Sequence, residues 1–337
     1  MNEKEARLAD FCRRHGYEGA WFRRRANIAW IADGADVHVD SASSTGVASV
    51  LWTPRRKVVY CDTIEDRRLR EEEFGDGWTF EVSPWWEPRR APRGRFATDV
   101  PDDPFADLRA PLTRGELRTI RELGRATGEI LARELPRLRP GLSEHEVAAR
   151  LLGAFRTLGI HLPVLLVAAD DRIRRYRHPI PTARKLVRTV MVAVCPRLRG
   201  LTVAATRLVH FGRRLPADLR RRHEAVCAVD ATFHAATRPG ARWCDALAAG
   251  IRAYRDAGFP DEWTRHHQGG PVGYEGRDFR ATPTETRRIL ERQAVGWNPS
   301  IAGTKSEDTI LSSGELLTAT PGWPVCGTRP DILRLGS

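Results

Sequence analysis

Apolar and polar positions recur along this chain with two different periods, and the changes between them mark out its elements. In residues 3–16, Ala6, Leu8, Ala9, Phe11 and Cys12 recur at helical spacing, and Gly16 supplies a stop. Four short β-type runs follow, at 19–22, 27–31, 47–52 and 57–61; Thr53-Pro54-Arg55-Arg56 separates the last two as a hairpin turn would. Residues 64–74 predict a helix and 79–82 a strand. A small α/β domain over residues 1–95 accounts for these elements.

Regular periodicity then fails. Residues 83–112 carry prolines at 84, 88, 92, 101, 104 and 111 and the pair Trp85-Trp86. The stretch predicts an interdomain linker, placed at 96–112, with the two indoles packed on one of the domains. Beyond it, Thr113 and Glu116 form a capping-box signature that opens a long helix ending before Pro136, and Ser143 with Glu146 repeats the signature for a second helix. Apolar runs at 162–168 and 190–194 have strand length, 223–236 and 244–257 have helical spacing, and 293–297, 308–311 and 316–319 predict short strands. That order predicts an α+β domain over residues 113–337, with helices covering an antiparallel sheet.

Composition changes this picture little. A chain of 337 residues with 41% hydrophobic and 29% charged residues has the make-up of an ordinary globular protein of about two domains. The net charge of +12 is almost all arginine, since lysine occurs only at Lys4, Lys57, Lys185 and Lys305. The arginines are dispersed, with no basic tail and no nucleic-acid-binding motif, so no nucleic-acid partner is expected; a small acidic protein partner fits the charge better. Six cysteines without CxxC spacing read as reduced thiols of a cytoplasmic protein. The charged N-terminus lacks a signal-peptide core, and no stretch approaches the roughly 18 apolar residues of a membrane span, so no membrane partner is expected.

Candidate chemistry concentrates in residues 265–277, Arg-His-His-Gln-Gly-Gly-Pro-Val-Gly-Tyr-Glu-Gly-Arg. Two imidazoles, a phenol, a carboxylate and two guanidinium groups surround four glycines, which allow tight turns and close approach of the backbone to a ligand. The plainer reading is a polar surface loop.

The order of motifs resembles the creatinase, prolidase and aminopeptidase P superfamily, whose catalytic domain is the pita-bread fold. Asn27-Ile28-Ala29-Trp30 resembles the first strand of its N-terminal domain, Gly141-Leu142-Ser143-Glu144 the start of its second catalytic-domain helix, and residues 200–207 its "GY..DiTR" strand pair. Residues 267–270 resemble "HGiG". Glu307-Asp308-Thr309 with Gly314-Glu315-Leu316-Leu317-Thr318 resembles the closing "EDt...G.e.LT". The resemblance implies two divalent ions held by two Asp, one His and two Glu. His267 and Glu307 fall on two of those five positions, but Ala193 and Ala204 stand at the two Asp positions and Asn298 at the other Glu. The expectation is therefore a site with no metal and no cofactor, rather than a metal-dependent Xaa-Pro peptidase.

Creatinase, which cleaves a C–N bond without metal, is the relevant relative. His178 in Arg177-His178-Pro179 fits the place of its catalytic histidine, whereas Thr206 and Asn298 stand where carboxylates tune that histidine, so creatine hydrolysis itself is not implied. His178, His267, Tyr274 and Glu307 are the candidate catalytic residues, with His178 as general base. Arg277 is the candidate anion clamp, with Asn298 and His266 beside it. The resemblance also implies a homodimer in which residues 33–40 reach the partner's site, where Asp36, His38 or Asp40 could take the ammonium of an amino-acid-like substrate; a solvated acidic turn is the alternative. The expected activity is acid/base chemistry on a small amino-acid-like or amidine-like molecule in specialised metabolism. It would be either C–N hydrolysis or intramolecular displacement or elimination of an anionic group. The reading from another class is a non-catalytic scaffold subunit.

Overall fold

The computed structural model describes residues 2–336. Its internal contacts divide the chain into two units, one built mainly from the first 115 residues together with Arg199–Leu201 and Gly273–Glu275, the other from the rest.

The first unit opens with helix α1 (Glu3–His15), capped as its sequence dictates. Asn2 Oδ1 accepts from the Glu5 amide at 3.0 Å, the Glu5 carboxylate accepts from the Asn2 amide at 3.0 Å, and Gly16 stops the helix at φ +69°. Its sheet holds β1 (Gly19–Arg24), β2 (Thr45–Trp52), β3 (Lys57–Asp62), β4 (Thr79–Ser83) and β5 (Phe96–Thr98) in the order β4-β3-β2-β1-β5. β2 pairs antiparallel with β1 and β3, and β4 and β5 add parallel edges. The turn 53–56 closes the β2–β3 hairpin through Thr53 N to Arg56 O at 2.9 Å.

Three expectations fail here for physical reasons. Residues 27–31, expected as a strand, form helix α2 (Arg25–Ile31); all six residues from Ala26 to Ile31 are buried, and a segment buried on every side shows no polar stripe from which to read a period. The segment 96–112, expected as a linker, contains β5 and helix α4 (Ala106–Arg109). The buried Asp99 carboxylate accepts from the amides of Arg23 and Arg24 at 2.9 Å each, and Asn27 bonds both Asp99 and Asp103 at 3.1 Å. Those side-chain bonds leave no periodic trace. Trp85 and Trp86 pack edge to face on each other at 5.7 Å and remain 63% and 67% exposed, not covered by a domain. Residues 64–74 do form a helix, but as the single turn α3 (Asp66–Arg68) followed by a π-turn, Leu69–Glu73.

In the second unit, α5 (Arg114–Glu134) and α6 (Glu144–Arg156) precede β6 (His161–Ala169), the short α7 (Asp171–Arg175), β7 (Thr189–Leu198), β8 (Leu201–Thr202) and β9 (Ala205–Phe211). Next come α8 (Ala217–Ala236), α9 (Trp243–Asp256), β10 (Gly269–Val272), β11 (Ala294–Trp297) and β14 (Asp308–Leu311), with the hairpin β12 (Ser300–Ile301) and β13 (Thr304–Lys305) before β14. Hairpin β15 (Val325–Cys326) and β16 (Arg329–Pro330) and strand β17 (Leu333–Leu335) follow. One sheet runs β17-β9-β7-β6 and a second, antiparallel, runs β10-β11-β14; the bridge Thr206–Glu307 joins them. The capping box at Ser143 and Glu146 is present as expected. Residues 316–319 make one bridge, Ile310 to Leu316, and no strand.

Helices cover this layer closely. Phe233 of α8 stacks on Trp297 of β11 at 4.3 Å and 10°, in a core shared with Trp243, Leu247 and Tyr254 of α9. On α5, a Cβ at Gly124 would lie 2.3 Å from Leu317 O, and one at Gly128 1.9 Å from Ala319 O. Only glycine permits that approach of helix to backbone. No helix among the described residues is long and apolar enough to cross a membrane.

Candidate active site

Two loops and one hairpin assemble the site in the second unit. His178 lies on the loop between α7 and β7, and His266 and His267 follow the 3₁₀ turn Glu262–Arg265 into β10. The buried Tyr254 hydroxyl accepts from Ser300 N at 2.9 Å and lies 2.9 Å from Gln268 Oε1, while Gln268 Nε2 donates to His266 O at 2.6 Å. Those bonds fix 266–268 against 300. The β12–β13 register then sets Ser300 opposite Lys305.

The three imidazoles converge. Their ligand nitrogens lie within 4.8 Å of one another, and their ring centroids are 4.7 to 5.8 Å apart. Arg177 Nη1 donates to Ser300 Oγ at 3.1 Å, Ser300 Oγ lies 3.2 Å from His266 Nδ1, and His266 Nε2 lies 3.1 Å from His178 Nε2. A hydroxyl has two acceptor lone pairs, so Ser300 Oγ can take both Arg177 Nη1–H and His266 Nδ1–H; His266 Nε2 then accepts from His178 Nε2–H, and His178 Nδ1 keeps a free lone pair. Arg177 is itself held by an ion pair with Glu262. His267 Nδ1 is buried with no hydrogen-bond partner.

All three histidines are held neutral. Burial pushes His267 down to about 3, with Arg277, His178, Arg280 and Lys305 adding to it. Burial, then Lys305 and the neighbouring histidines, push His266 down. His178, the exposed member, is lowered by burial and by Lys305, with Glu307 acting the other way. Neutral imidazoles among cations accept protons and tolerate anions.

Glu307 is buried immediately before β14. Thr206 Oγ1 donates to its Oε2 at 2.5 Å, and the buried Lys305 Nζ lies 2.7 Å from the same oxygen. Nearby, Arg207 bonds Asp308 at 2.8 Å, and Arg329 bonds Asp308 at 2.6 Å and Asp230 at 2.7 Å. Asn298 is buried, with its side-chain Oδ1 unpartnered and its backbone N–H donating to Gln268 O at 3.0 Å. Arg277 Nη1 bonds the carbonyls of Gly270 at 2.7 Å and Gly296 at 2.6 Å, knitting β10 to β11. Its fork is thus partly engaged by the backbone.

Tyr274, Asp36, His38 and Asp40 belong to the first unit. Tyr274 is buried, with Lys4 Nζ 5.8 Å from its ring centroid. Asp36 pairs with His38 through Nδ1 and lies 3.8 Å from Arg25; burial works against its charge, and His38 and Arg25 outweigh that, so its carboxyl is lowered. Asp40 Oδ1 accepts from Ala42 N at 2.9 Å, as in an Asx turn.

Lys305, Arg177 and Ser300 were not legible as site residues. Lys305 had a weak signal: it is one of only four lysines in an arginine-rich chain, two positions before Glu307.

An imidazole cluster beside a buried ammonium–carboxylate pair, carried on sheets covered by α5, α6, α8 and α9, defines a pita-bread protein with a rebuilt centre. Residues 118–328 match the metallopeptidase family M24 pattern, and the chain belongs to that family. No curated protein sequence matches it. Among solved structures it is similar to a prolidase from Pyrococcus horikoshii OT3 (18% identity, 95% of this chain and 99% of that one, TM-score 0.78). It is also similar to an X-Pro aminopeptidase from Thermotoga maritima MSB8 (14%, 98% and 99%, 0.75). A third match is the N-terminal domain of FACT complex subunit SPT16 from Cicer arietinum, chickpea (11%, 95% and 95%, 0.70). At these identities the likeness shows the fold.

The family implies a metal centre, and the donor set tests it. β7 and β9 carry no carboxylate at all, and Ala193 and Ala204 are both buried. Glu307 already faces an ammonium, and Asn298 offers only an amide. Two adjacent divalent ions need bridging carboxylates, so these residues do not fit a dinuclear centre. The most this set could hold is a single ion on His178, His266 and His267, against the positive charge of Lys305, Arg277 and Arg280.

Proposed function

We propose that this chain is a metal-independent acid/base enzyme acting on a small amino-acid-like or amidine-like substrate, in a tailoring step of specialised metabolism. The carrying observation is the Lys305–Glu307 pair at 2.7 Å beside three neutral imidazoles. The ammonium supplies a fixed positive charge beside the imidazoles, and His178, backed by the Arg177–Ser300–His266 chain, is the group that takes a proton from substrate. A positive, imidazole-rich pocket suits an anionic leaving group. Intramolecular displacement or elimination is therefore favoured over water attack on a C–N bond, since neither activated water nor a metal is then required. Arg277, through Nε and Nη2, and His267 are proposed to receive that group. Asn298 and His266 orient it.

We further propose a homodimer in a reducing cytoplasm, in which the 33–40 loop with Asp36, His38 and Asp40 completes the partner's site. The six cysteines are all free thiols.

The test is turnover by the isolated chain. It would be dialysed against chelator, assayed for metal by mass spectrometry, and incubated with N-amidino and O-sulfonated or O-phosphorylated amino acids, with the dipeptide Gly-Pro as peptidase control. We expect metal-free turnover that His178→Ala abolishes and His178→Asn does not restore. Stoichiometric zinc, manganese or cobalt, with activity lost on chelation, would overturn the reading.

A scaffold role is the second reading. It is favoured by the SPT16 domain, which has this fold within a complex subunit. Copurification of an acidic protein, with no turnover, would establish it instead.

A further inference from the structure

The three imidazoles are placed as ligands as well as bases. His266 Nε2 and His178 Nε2 face each other at 3.1 Å, and zinc–nitrogen bonds of about 2.0–2.1 Å set two tetrahedral ligands about 3.3 Å apart. Two donors thus already stand at the spacing of a metal edge. A ring nitrogen of His267 lies within 4.8 Å of one on each of the others, so the remaining edges close by at most about 1.5 Å, which a rotation of that half-buried ring supplies. His267 Nδ1 is also buried without a hydrogen-bond partner, a cost that the bare protein leaves unmet.

The groups behind the imidazoles fit the same use. Ser300 Oγ lies 3.2 Å from His266 Nδ1; by taking that N–H it fixes the ring and leaves the Nε2 lone pair free. Arg177 Nη1 holds the same hydroxyl at 3.1 Å and is itself paired with Glu262. Metal-ligating histidines are oriented in this way, through their other ring nitrogen. His178 is exposed while His266 is buried, which gives an ion a way in.

We propose that His178, His266 and His267 form a mononuclear site for a late transition-metal ion, zinc in particular, and that the filled site is an inhibited form of the protein. Three imidazoles and no carboxylate suit zinc or copper rather than magnesium, manganese or calcium. The set differs from the family's dinuclear carboxylate centre, since only His267 stands at a family ligand position. Lys305, Arg277 and Arg280 act on the cluster as positive charges, so they favour an anion such as hydroxide or chloride in the fourth position. On binding, the His178 proton moves from Nε2 to Nδ1, Nε2 bonds the ion, and no proton is released. His178 then has no free lone pair. The inhibition, unlike the binding, rests on His178 being the base of the proposed reaction.

The full chain would be stripped with chelator and titrated with zinc, and in parallel with manganese, against a chromophoric chelator, with melting recorded alongside. We expect one zinc per chain, manganese weaker by at least about 100-fold, and a melting temperature about 3–5 °C higher at zinc about 100-fold above its Kd. His178→Ala, on an exposed loop, and His267→Ala should each weaken zinc at least about tenfold, and Ser300→Ala about tenfold. No bound zinc, zinc affinity unchanged by His178→Ala and His267→Ala, or manganese held as tightly would overturn the proposal. Turnover should fall with zinc occupancy and return on chelation; full turnover by the zinc-loaded chain would overturn the inhibitory role. Zinc held by the three histidines in a chain without turnover, loaded or stripped, would support the site and count against the proposed function alone.

Discussion

Replacing Lys305 by methionine, which keeps the length of the side chain and removes its charge, tests the ion pair on which the proposed function rests. Both partners are buried, at 5% and 3% side-chain exposure, with the charges 2.7 Å apart. At an effective dielectric of about 20, their gross attraction is about 6 kcal/mol. Desolvation offsets part of that, and removing one member of a buried pair typically costs about 3–5 kcal/mol, because the other charge is left uncompensated. Thr206 still donates to Glu307 at 2.5 Å, which places the loss near the lower end, about 3 kcal/mol. For a unit of this size that is a drop in melting temperature of about 6–12 °C. Circular dichroism melts of wild type, Lys305→Met, Glu307→Gln and Lys305→Met/Glu307→Gln would measure it. The double variant should regain more than half of the loss, since neutral groups of similar shape can replace a buried pair. A single variant melting within about 2 °C of wild type, or a double variant no more stable than the single, would refute the reasoning.

Acid should destabilise the fold through the histidine cluster. A histidine lowered in the folded state keeps its full contribution above its unfolded pKa of about 6.5 and loses it as pH falls toward the folded value, here about 3 for His267. Between pH 7 and 5 this amounts to about 2 kcal/mol, halved to about 1 kcal/mol for partial exposure, and His267→Gln should flatten the melting profile over that interval. Gly128→Ala should cost several degrees of melting temperature, because its Cβ would meet Ala319 O at 1.9 Å; unchanged melting would show that α5 can withdraw. Ser300→Ala should lower kcat more than KM if the Arg177–Ser300–His266–His178 chain carries the proton, and equal changes in both would count against that role.

What the sequence showed and what it hid follow from the range of the interactions. The periods of α1, α6, α8 and α9, the stop at Gly16, the cap at Ser143 and the turn at 53–56 are local, and each predicted element is present. α2 was misread because a fully buried helix and a buried strand share one pattern. The 96–112 segment was misread because Asp99 and Asp103 bond residues about 75 positions earlier. Around the site the same limit applies. Residues 266 and 267 stand out as a histidine pair, but His178 meets them across 88 residues, and Thr206 meets Glu307 across 101. Whether a lysine or a solvent molecule faces Glu307 is a matter of hairpin register, fixed by Ser300 opposite Lys305, and no local pattern encodes it.

The close contact of α5 with residues 317–320 bears on how the chain is made. Arg121 on the same helix pairs with Glu315, 194 positions later. At about 5–20 residues per second, the helix waits about 10–40 s on the ribosome for the segment that covers its glycine face. During that interval Gly124 and Gly128 present bare backbone beside Leu123, Ile130 and Leu131, an apolar stripe without its cover. Synthesis, more than equilibrium unfolding, is therefore the stage at which that apolar stripe is open to aggregation. Slowing translation upstream of residue 315 should lower its soluble yield without altering the melting temperature of the molecules that do fold.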